Sequence, residues 1–430
     1  MTTGVAVTIQ YQGSIANLTS STSYSDRSRN VSDDDTGFEI FGNGALTPSL
    51  QVYTTTSYTE ELRATSNDTK PVSWLTGVYI NQNTTRFFQS VDVAGAGALL
   101  GLPSDNIALL TQSTTTGQAA LFGEVGYSPI DSLTFTVGLR GAQVQLASRA
   151  LRTGLIFGSG LSNSDSTTQH DVLPKFNVSY KLTPDALIYG TASKGYRVGG
   201  VNVTFLPTSG GFVYPATYRP DSLWNYEIGV KGVVFNQRIT FDVDAFYIDW
   251  KDIQLDLLHG DYDYFANARD AISRGIEAQT AMKITSALQI GGQVSYTDAK
   301  LSTTTAGVGN EGDRLPYVPK LSTSVFAEYD LSLDQSGRAY VRVDAQHVST
   351  MYTGFGNVND FTYGDYTLAN LKLGLDRGPW RYSLLVRNIA DQCARLFADT
   401  YKAGLITSPA VDSVTVAKPR ILGLQLSRSF

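Results

Sequence analysis

The alternating runs in this chain are longer than soluble strands need. In "RITFDVDAFYIDW", Ile239, Phe241, Val243, Ala245 and Tyr247 share one face, while Thr240, Asp242 and Asp244 take the other. "SLTFTVGLRGAQVQL" and "YTLANLKLGLD" alternate in the same way. Many runs reach about 10 residues or more, whereas soluble strands cluster near 5–6. A strand that crosses a bilayer at a tilt needs about 9–11. Period two does not by itself separate a soluble barrel, apolar inside, from a membrane barrel, apolar outside.

The connections separate them. Tight turns fall at Gln12-Gly13, Asn67-Asp68, Ser128-Pro129, Pro184-Asp185, Asn236-Gln237, Thr285-Ser286, Asp334 to Gly337 and Gly378-Pro379. Between them lie longer polar stretches, after Asp26, Asn83, Ala147, Arg197, Asp252, Lys300, Ser349 and Asp391. Short turns at one end and long loops at the other are the arrangement of an outer-membrane barrel, with periplasmic turns and extracellular loops. The pattern predicts an all-β fold: an antiparallel transmembrane β-barrel of about 16–17 long strands. Phe241 and Val243 should meet lipid, and Asp242 and Asp244 the lumen. The segment from Val91 to Leu110 breaks the alternation and could form a short helix in a loop.

Composition agrees. Among 430 residues there are 24 Tyr, 19 Phe and 40 Gly, but 3 Met, 3 His and 1 Cys. Aromatic residues with glycine favour strands. Cys393 stands alone, which removes an internal disulfide and any cysteine metal cage. The formal charge of −6, with Lys and Arg scattered singly, argues against nucleic acid as a partner. No apolar run approaches the ~18–20 residues of a membrane helix. The N-terminal "MTTGVAVTIQYQ" has neither a basic nor an apolar signal-peptide region.

No catalytic constellation or cofactor motif emerges. His170, His259 and His347 are far apart in sequence. "GAGALLG" from Gly95 lacks the Lys and the framing βαβ unit of a phosphate loop. "SDDDTG" near Asp34 lacks the spacing of an EF-hand and reads as a solvated acidic loop. "HGDYDYF" places Tyr262, Tyr264 and Phe265 in an outer loop, where they either grip an incoming ligand or join the aromatic girdle at the lipid interface. Trp250 is assigned to that girdle. "KGYRVGG" puts Tyr196 and Arg197 at the top of a strand, as lumen-wall groups or ligand contacts. The candidate ligand-binding residues are therefore Tyr196, Arg197, Tyr262 and Tyr264.

"NYEIGVKGVVFNQRITFDVDAFYIDWKDIQL", "YGTASKGYRVGGVN", "SRGIEAQTAMKITSALQIGGQVSYTDAKL", "LPYVPKLSTSVFAEYDL" and "YSLLVRNIADQ" together resemble the barrel of TonB-dependent outer-membrane receptors. "ANLTSSTSYSDRSR" and "TEELRATSNDTKPVSWLTGVYI" look like earlier strands of the same barrel, so the likeness spans residues 1–430. It implies an outer-membrane receptor or transporter for a scarce nutrient, most often a ferric siderophore, and no enzyme. A passive pore and a soluble β-rich binding protein are the alternatives.

The implied partners are the lipid bilayer, lipopolysaccharide, the barrel-assembly machinery and a small-molecule nutrient ligand. TonB enters only through a plug domain, which these residues do not resemble, so energised transport is not expected of them alone. The resemblance gives the terminal "LGLQLSRSF" a role too. Leu422, Leu424 and Leu426 fit a lipid face, Arg428 snorkels to the interface, and Phe430 is the expected assembly signal. The family barrel has about 22 strands. The first and last of about 17 strands would run in the same direction, which leaves a parallel seam, loss of the first strand, or an open sheet completed by strands from elsewhere. Because "GVAVTIQYQ" alternates poorly at its start, it is expected to peel away. That leaves about 16 strands, closed by the last strand pairing with the one from Leu18 to Tyr24.

Overall fold

A computed structural model describes residues 1–34, 48–67, 71–101, 104–154, 157, 160–202, 208–209, 211–259, 262–333, 337–355, 362–401 and 411–429. Phe430 and its expected assembly role lie outside them. One 17-stranded sheet dominates. Its strands, in chain order, are β1 (Thr2–Gln12), β2 (Ala16–Asp34), β3 (Pro48–Ser66), β4 (Val72–Asp92), β5 (Asn106–Ile130), β6 (Leu133–Thr153), β7 (Leu161–Thr183), β8 (Ala186–Arg197), β9 (Asp221–Val234), β10 (Ile239–Lys251), β11 (Ala271–Lys283), β12 (Leu288–Leu301), β13 (Leu321–Leu333), β14 (Gly337–Val348), β15 (Tyr366–Arg377), β16 (Trp380–Arg387) and β17 (Ile421–Arg428). Each is antiparallel to its neighbours in the chain, and short connections alternate with long ones.

Register carries the face assignment from strand to strand. Val243 lies between Val230 and Ala278, whereas Asp244 lies between Gly229 and Glu277, and Asp242 faces Lys231 and Gln279. The first set continues into an apolar outer surface. Leu121, Val137, Ile228, Ile276, Val325 and Leu424 are all more than half exposed. Apolar side chains left bare on one continuous sheet face are what a lipid solvent selects. The other face carries ion pairs: Lys175–Glu124 at 3.1 Å, Arg338–Glu328 at 2.9 Å and Arg342–Glu328 at 3.2 Å. Arg428 lies over the Trp380 ring, 5.2 Å from its centroid, at the short-turn end of the outer surface. A cation stacked on an interfacial aromatic is a stable way to end a lipid-facing row.

Three expectations are corrected. First, β1 does not peel away; it pairs with β2 over its full 11 residues, from Thr2↔Arg27 to Gln12↔Asn17. Its small residues Gly4 and Ala6 fall on the inner face, opposite Val5, Val7, Ile9 and Tyr11, so the alternation is sound. Second, β17 pairs with β16 and not with the Leu18–Tyr24 strand, which is held between β1 and β3. Among the described residues β1 and β17 are the free edges of an open sheet. Both run towards the short-turn end, so no antiparallel seam between them is possible. An edge exposed to lipid leaves backbone groups unsatisfied at several kcal/mol each, and antiparallel closure takes an odd number of further strands. Third, the segment from Val91 to Leu110, expected to be loop, is strand at both ends, to Asp92 in β4 and from Asn106 in β5, while the short helix expected within it forms at Ala96–Leu100.

The strands differ in height. β2 to β7 have 19 to 25 residues, and β8 to β17 have 8 to 14. The stretches expected to be loops after Asp26, Asn83 and Ala147 are strand, up to Asp34, Asp92 and Thr153.

Candidate ligand site at the long-loop end

Above the shorter strands, the long connections fold back over the wall. The 198–220 connection contains two small antiparallel pairs, Gly200–Val201 with Thr217–Tyr218 and Thr208–Ser209 with Phe212–Val213. The 252–270 connection is a hairpin, Gln254–His259 with Tyr262–Asn267. Side-chain amides join the two connections. Asn202 donates to the Phe265 carbonyl and accepts from its N–H, both at 2.7 Å. Asn267 accepts from the Arg219 N–H at 2.7 Å and donates to its carbonyl at 2.9 Å. Irregular backbone needs such substitutes, because it has no ladder to satisfy its polar groups.

Arg197 and Asp221 sit at the root of this cap. Asp221 is 2% exposed. It accepts from Arg197 Nε at 2.9 Å, from Arg197 Nη2, and from the Gln254 N–H at 3.0 Å. The end of β8, the start of β9 and the hairpin therefore meet at one carboxylate. Arg197 also lies over the Trp250 ring, 4.7 Å from its centroid. This corrects the girdle assignment of Trp250. Its register partners Leu223 and Ala271 continue the lumen face, and Trp250 packs beside Ile253, Ala271 and Leu301. The alternation of its own strand puts Trp250 with Asp242 and Asp244, so the signal was present in the sequence.

The sequence-derived candidates separate. Tyr196 accepts a hydrogen bond from Gln118 Nε2 at 3.1 Å. Gln118 belongs to β5, three strands away along the sheet, so this bond joins segments that the ladder does not. Tyr264 is in the hairpin, 5.5 Å from Phe212 and 5.5 Å from Tyr214 between ring centroids. Phe212 and Tyr214 are themselves 5.0 Å apart, edge to face. Burial, and then the nearby Tyr214, raise the Tyr264 hydroxyl above its ordinary pKa; burial does the same to Tyr218. Tyr262 pairs with His259 across the hairpin turn. A second aromatic group, Tyr317, Tyr363 and Phe397, joins the 302–320, 349–365 and 388–420 connections; Tyr317 stacks on Phe397 at 5.7 Å. Asp221, Asn202 and Asn267 escaped the sequence reading, since a polar residue in a loop carries no mark of its partner.

The arrangement suits binding more than bond-making. Rigid aromatic surfaces and amide-clamped loops surround a polar concave wall. Among the described residues no group of three or more His, Cys, Asp or Glu is placed to hold a metal ion. His170 faces Gln143 across the ladder, and His347 Nδ1 lies 3.2 Å from Thr367 Oγ1.

An antiparallel sheet with an apolar outer belt, a charged inner face and long loops at one end defines an outer-membrane β-barrel wall. Residues 2–389 match the family model "TonB dependent receptor-like, beta-barrel", and the chain belongs to that family. The metal-pseudopaline receptor CntO of Pseudomonas aeruginosa is 28% identical over 178 residues, 41% of this chain and 23% of that protein. The ferric yersiniabactin uptake receptor FyuA from Yersinia pestis aligns over 100% of this chain and 61% of its own, at 18% identity and a TM-score of 0.81. The siderophore receptor PiuA from Acinetobacter baumannii aligns over 99% and 64%, at 15% identity and a TM-score of 0.74. The chain thus spans less than two thirds of the proteins it resembles. Family members are transport receptors, not enzymes.

Proposed function

We propose that this chain forms the wall and ligand-collecting mouth of an outer-membrane receptor that takes up a scarce nutrient, with a ferric siderophore as the ligand class. The family match supports the receptor reading. The relatives, receptors for metal–pseudopaline and for ferric yersiniabactin, support a metal chelate as cargo. The observation that carries the location is the cap of amide-clamped loops with the Phe212–Tyr214–Tyr264 cluster above a polar wall. Aromatic faces with a few fixed polar groups are the usual lining of small-ligand sites. Tyr196, Arg197, Tyr262 and Tyr264 are the proposed contacts. Arg197 acts mainly by holding the loops through Asp221 and the Gln254 carbonyl, and its side chain stays about half exposed. Energised uptake depends on a TonB-linked plug, and lipopolysaccharide and the assembly machinery are the proposed surface and biogenesis partners.

The test is binding by the refolded chain in detergent. Titration with ferric chelates of catecholate, hydroxamate and carboxylate types should give saturable quenching of tryptophan fluorescence for at least one class. Quenching that is linear and unsaturated for all three would remove the siderophore reading.

A further inference from the structure

The upper half of β6 turns Val144, Leu146, Ser148, Ala150 and Arg152 to the inner side, and all five are buried. Arg152 is the unusual member, since it is 4% exposed and carries a full charge. Its neighbours in register are Leu110 on β5 and Leu161 on β7. Leu161 also packs on the apolar cluster of Val91, Val93, Ile107 and Phe157. Arg152 Nη1 donates to Asn163 Oδ1 at 3.0 Å. Its Nε and Nη2 are buried without a hydrogen-bond partner. Among the described residues no carboxylate forms an ion pair with it.

A guanidinium in an apolar setting is strongly unfavourable unless its donors are used. Nε and Nη2 form one edge of the planar fork, the edge that takes a carboxylate through two parallel N–H···O bonds. The same molecule shows this edge in use, for Arg197 engages Asp221 through Nε and Nη2. Arg152 presents the same edge, held from the opposite side by a neutral amide, with no acid among the described residues to meet it.

We infer that Arg152, positioned by Asn163, is an anion-recognition group in the upper inner wall, and that the ligand class it serves carries a carboxylate or a similar two-oxygen anion. The inference rests on the receptor reading and narrows its ligand class. Four side-chain torsions let the guanidinium reach towards the concave face, and the polar Gln112, Thr114 and Ser148, bonded to one another at 3.0–3.2 Å, form the wall just below it. An anion bound there neutralises the buried charge, so binding is coupled to the stability of the rim.

Metal-free citrate is the probe of the site, and ferric chelates test the receptor reading separately. In detergent, citrate should raise the unfolding temperature of the wild-type chain in a saturable way. Arg152→Met should unfold no earlier than wild type without citrate and should bind citrate at least tenfold more weakly. Arg152→Lys keeps the charge but loses the fork and should fall between. Asn163→Ala, which leaves the arginine in place, should weaken citrate several-fold and provides the test if Arg152→Met does not fold. Equal citrate response in Arg152→Met and wild type, or no response in wild type, overturns the site. If ferric chelates still bind in that case, the receptor reading stands and only the anion site falls.

Discussion

The two sides of this wall raise the long-loop end by different means. From β2 to β7 the strands themselves continue upward. β5, at 25 residues, extends about 80 Å at roughly 3.3 Å per residue, where a tilted crossing uses about 9–11 residues. From β8 onward the strands stop after 8 to 14 residues, and irregular connections fold over them. The tall side satisfies its backbone with ladder hydrogen bonds and needs few apolar residues. Much of β3 to β5 above the belt is therefore written in Thr, Ser and Gln, with contacts such as Thr55–Thr85 and Thr84–Thr115 at 3.2 Å, and apolar packing is confined to the upper inner side of β6 and the cluster around Val91 and Ile107. The low side has no ladder in its loops. It relies on the buried Asp221, the amide clamps of Asn202 and Asn267, and the clusters around Ile253 and Met351. An extended ladder is uniform and tolerant; a folded loop rests on a few irreplaceable groups.

The strongest way to break this comparison uses one strand and one face. Val137, in the lower part of β6, is 53% exposed on the apolar belt, and Gln145 lies eight residues higher on the same face. Val137→Arg should cost on the order of 2–4 kcal/mol in refolding stability in lipid vesicles. Gln145→Arg should stay within about 0.5 kcal/mol, since it meets water. Equal costs would mean that the tall strands do not rise out of the bilayer. On the low side, Val243→Arg should be costly in the same assay and Asp244→Asn much cheaper; the reverse ranking would exchange the two faces of the sheet.

A smaller effect separates clamped loops from ladder. Asp221→Ala leaves Arg197 and the Gln254 N–H without their shared acceptor. With Arg197 about half exposed, the loss should be about 1–3 kcal/mol. Hydrogen exchange should accelerate at least tenfold in both the 198–220 and 252–270 connections and leave β5 and β6 unchanged. Ser148→Ala, on the tall side, should change exchange little. If Asp221→Ala leaves the two connections protected, the clamp is not what holds them.

The smallest effect is a pH dependence. The Tyr264 hydroxyl is raised by burial, so its neutral form is favoured in the folded loop. That stability is fully present below the ordinary tyrosine pKa near 10 and is lost as pH rises through the folded value. The low side should therefore loosen at alkaline pH before the tall side does. Tyr264→Phe should remove that part of the dependence, as read from hydrogen exchange of the hairpin.

The legible part of the fold was the part in contact with lipid. "RITFDVDAFYIDW" declared both faces of β10, because a bilayer on one side and water on the other force apolar and polar residues onto opposite faces. Above the bilayer both faces meet water or loops, the contrast vanishes, and "TQSTTTG" in β5 or "SNSDSTTQH" in β7 reads as loop although it is strand. Turn positions were clear where the turn chemistry was strong, as at Pro184-Asp185 and at Gly378-Pro379, where Gly378 takes a φ of 56°.

What the sequence determined by itself was a strand number of about 16–17, the alternation of short and long connections, and the two faces of the lower strands. Each follows from local periodicity and turn chemistry. Tertiary structure alone decided the rest. It kept β1 in the sheet and left β1 and β17 unpaired with each other among the described residues, because edge pairing is a matter of long-range contact that local periodicity does not carry. It joined Arg197 to Asp221, and Asn202 to Phe265, across loops of irregular path. It also left Arg152 buried with half its fork unused. A charged residue shows its sign in the sequence; whether it has a partner is settled only when distant segments are brought together.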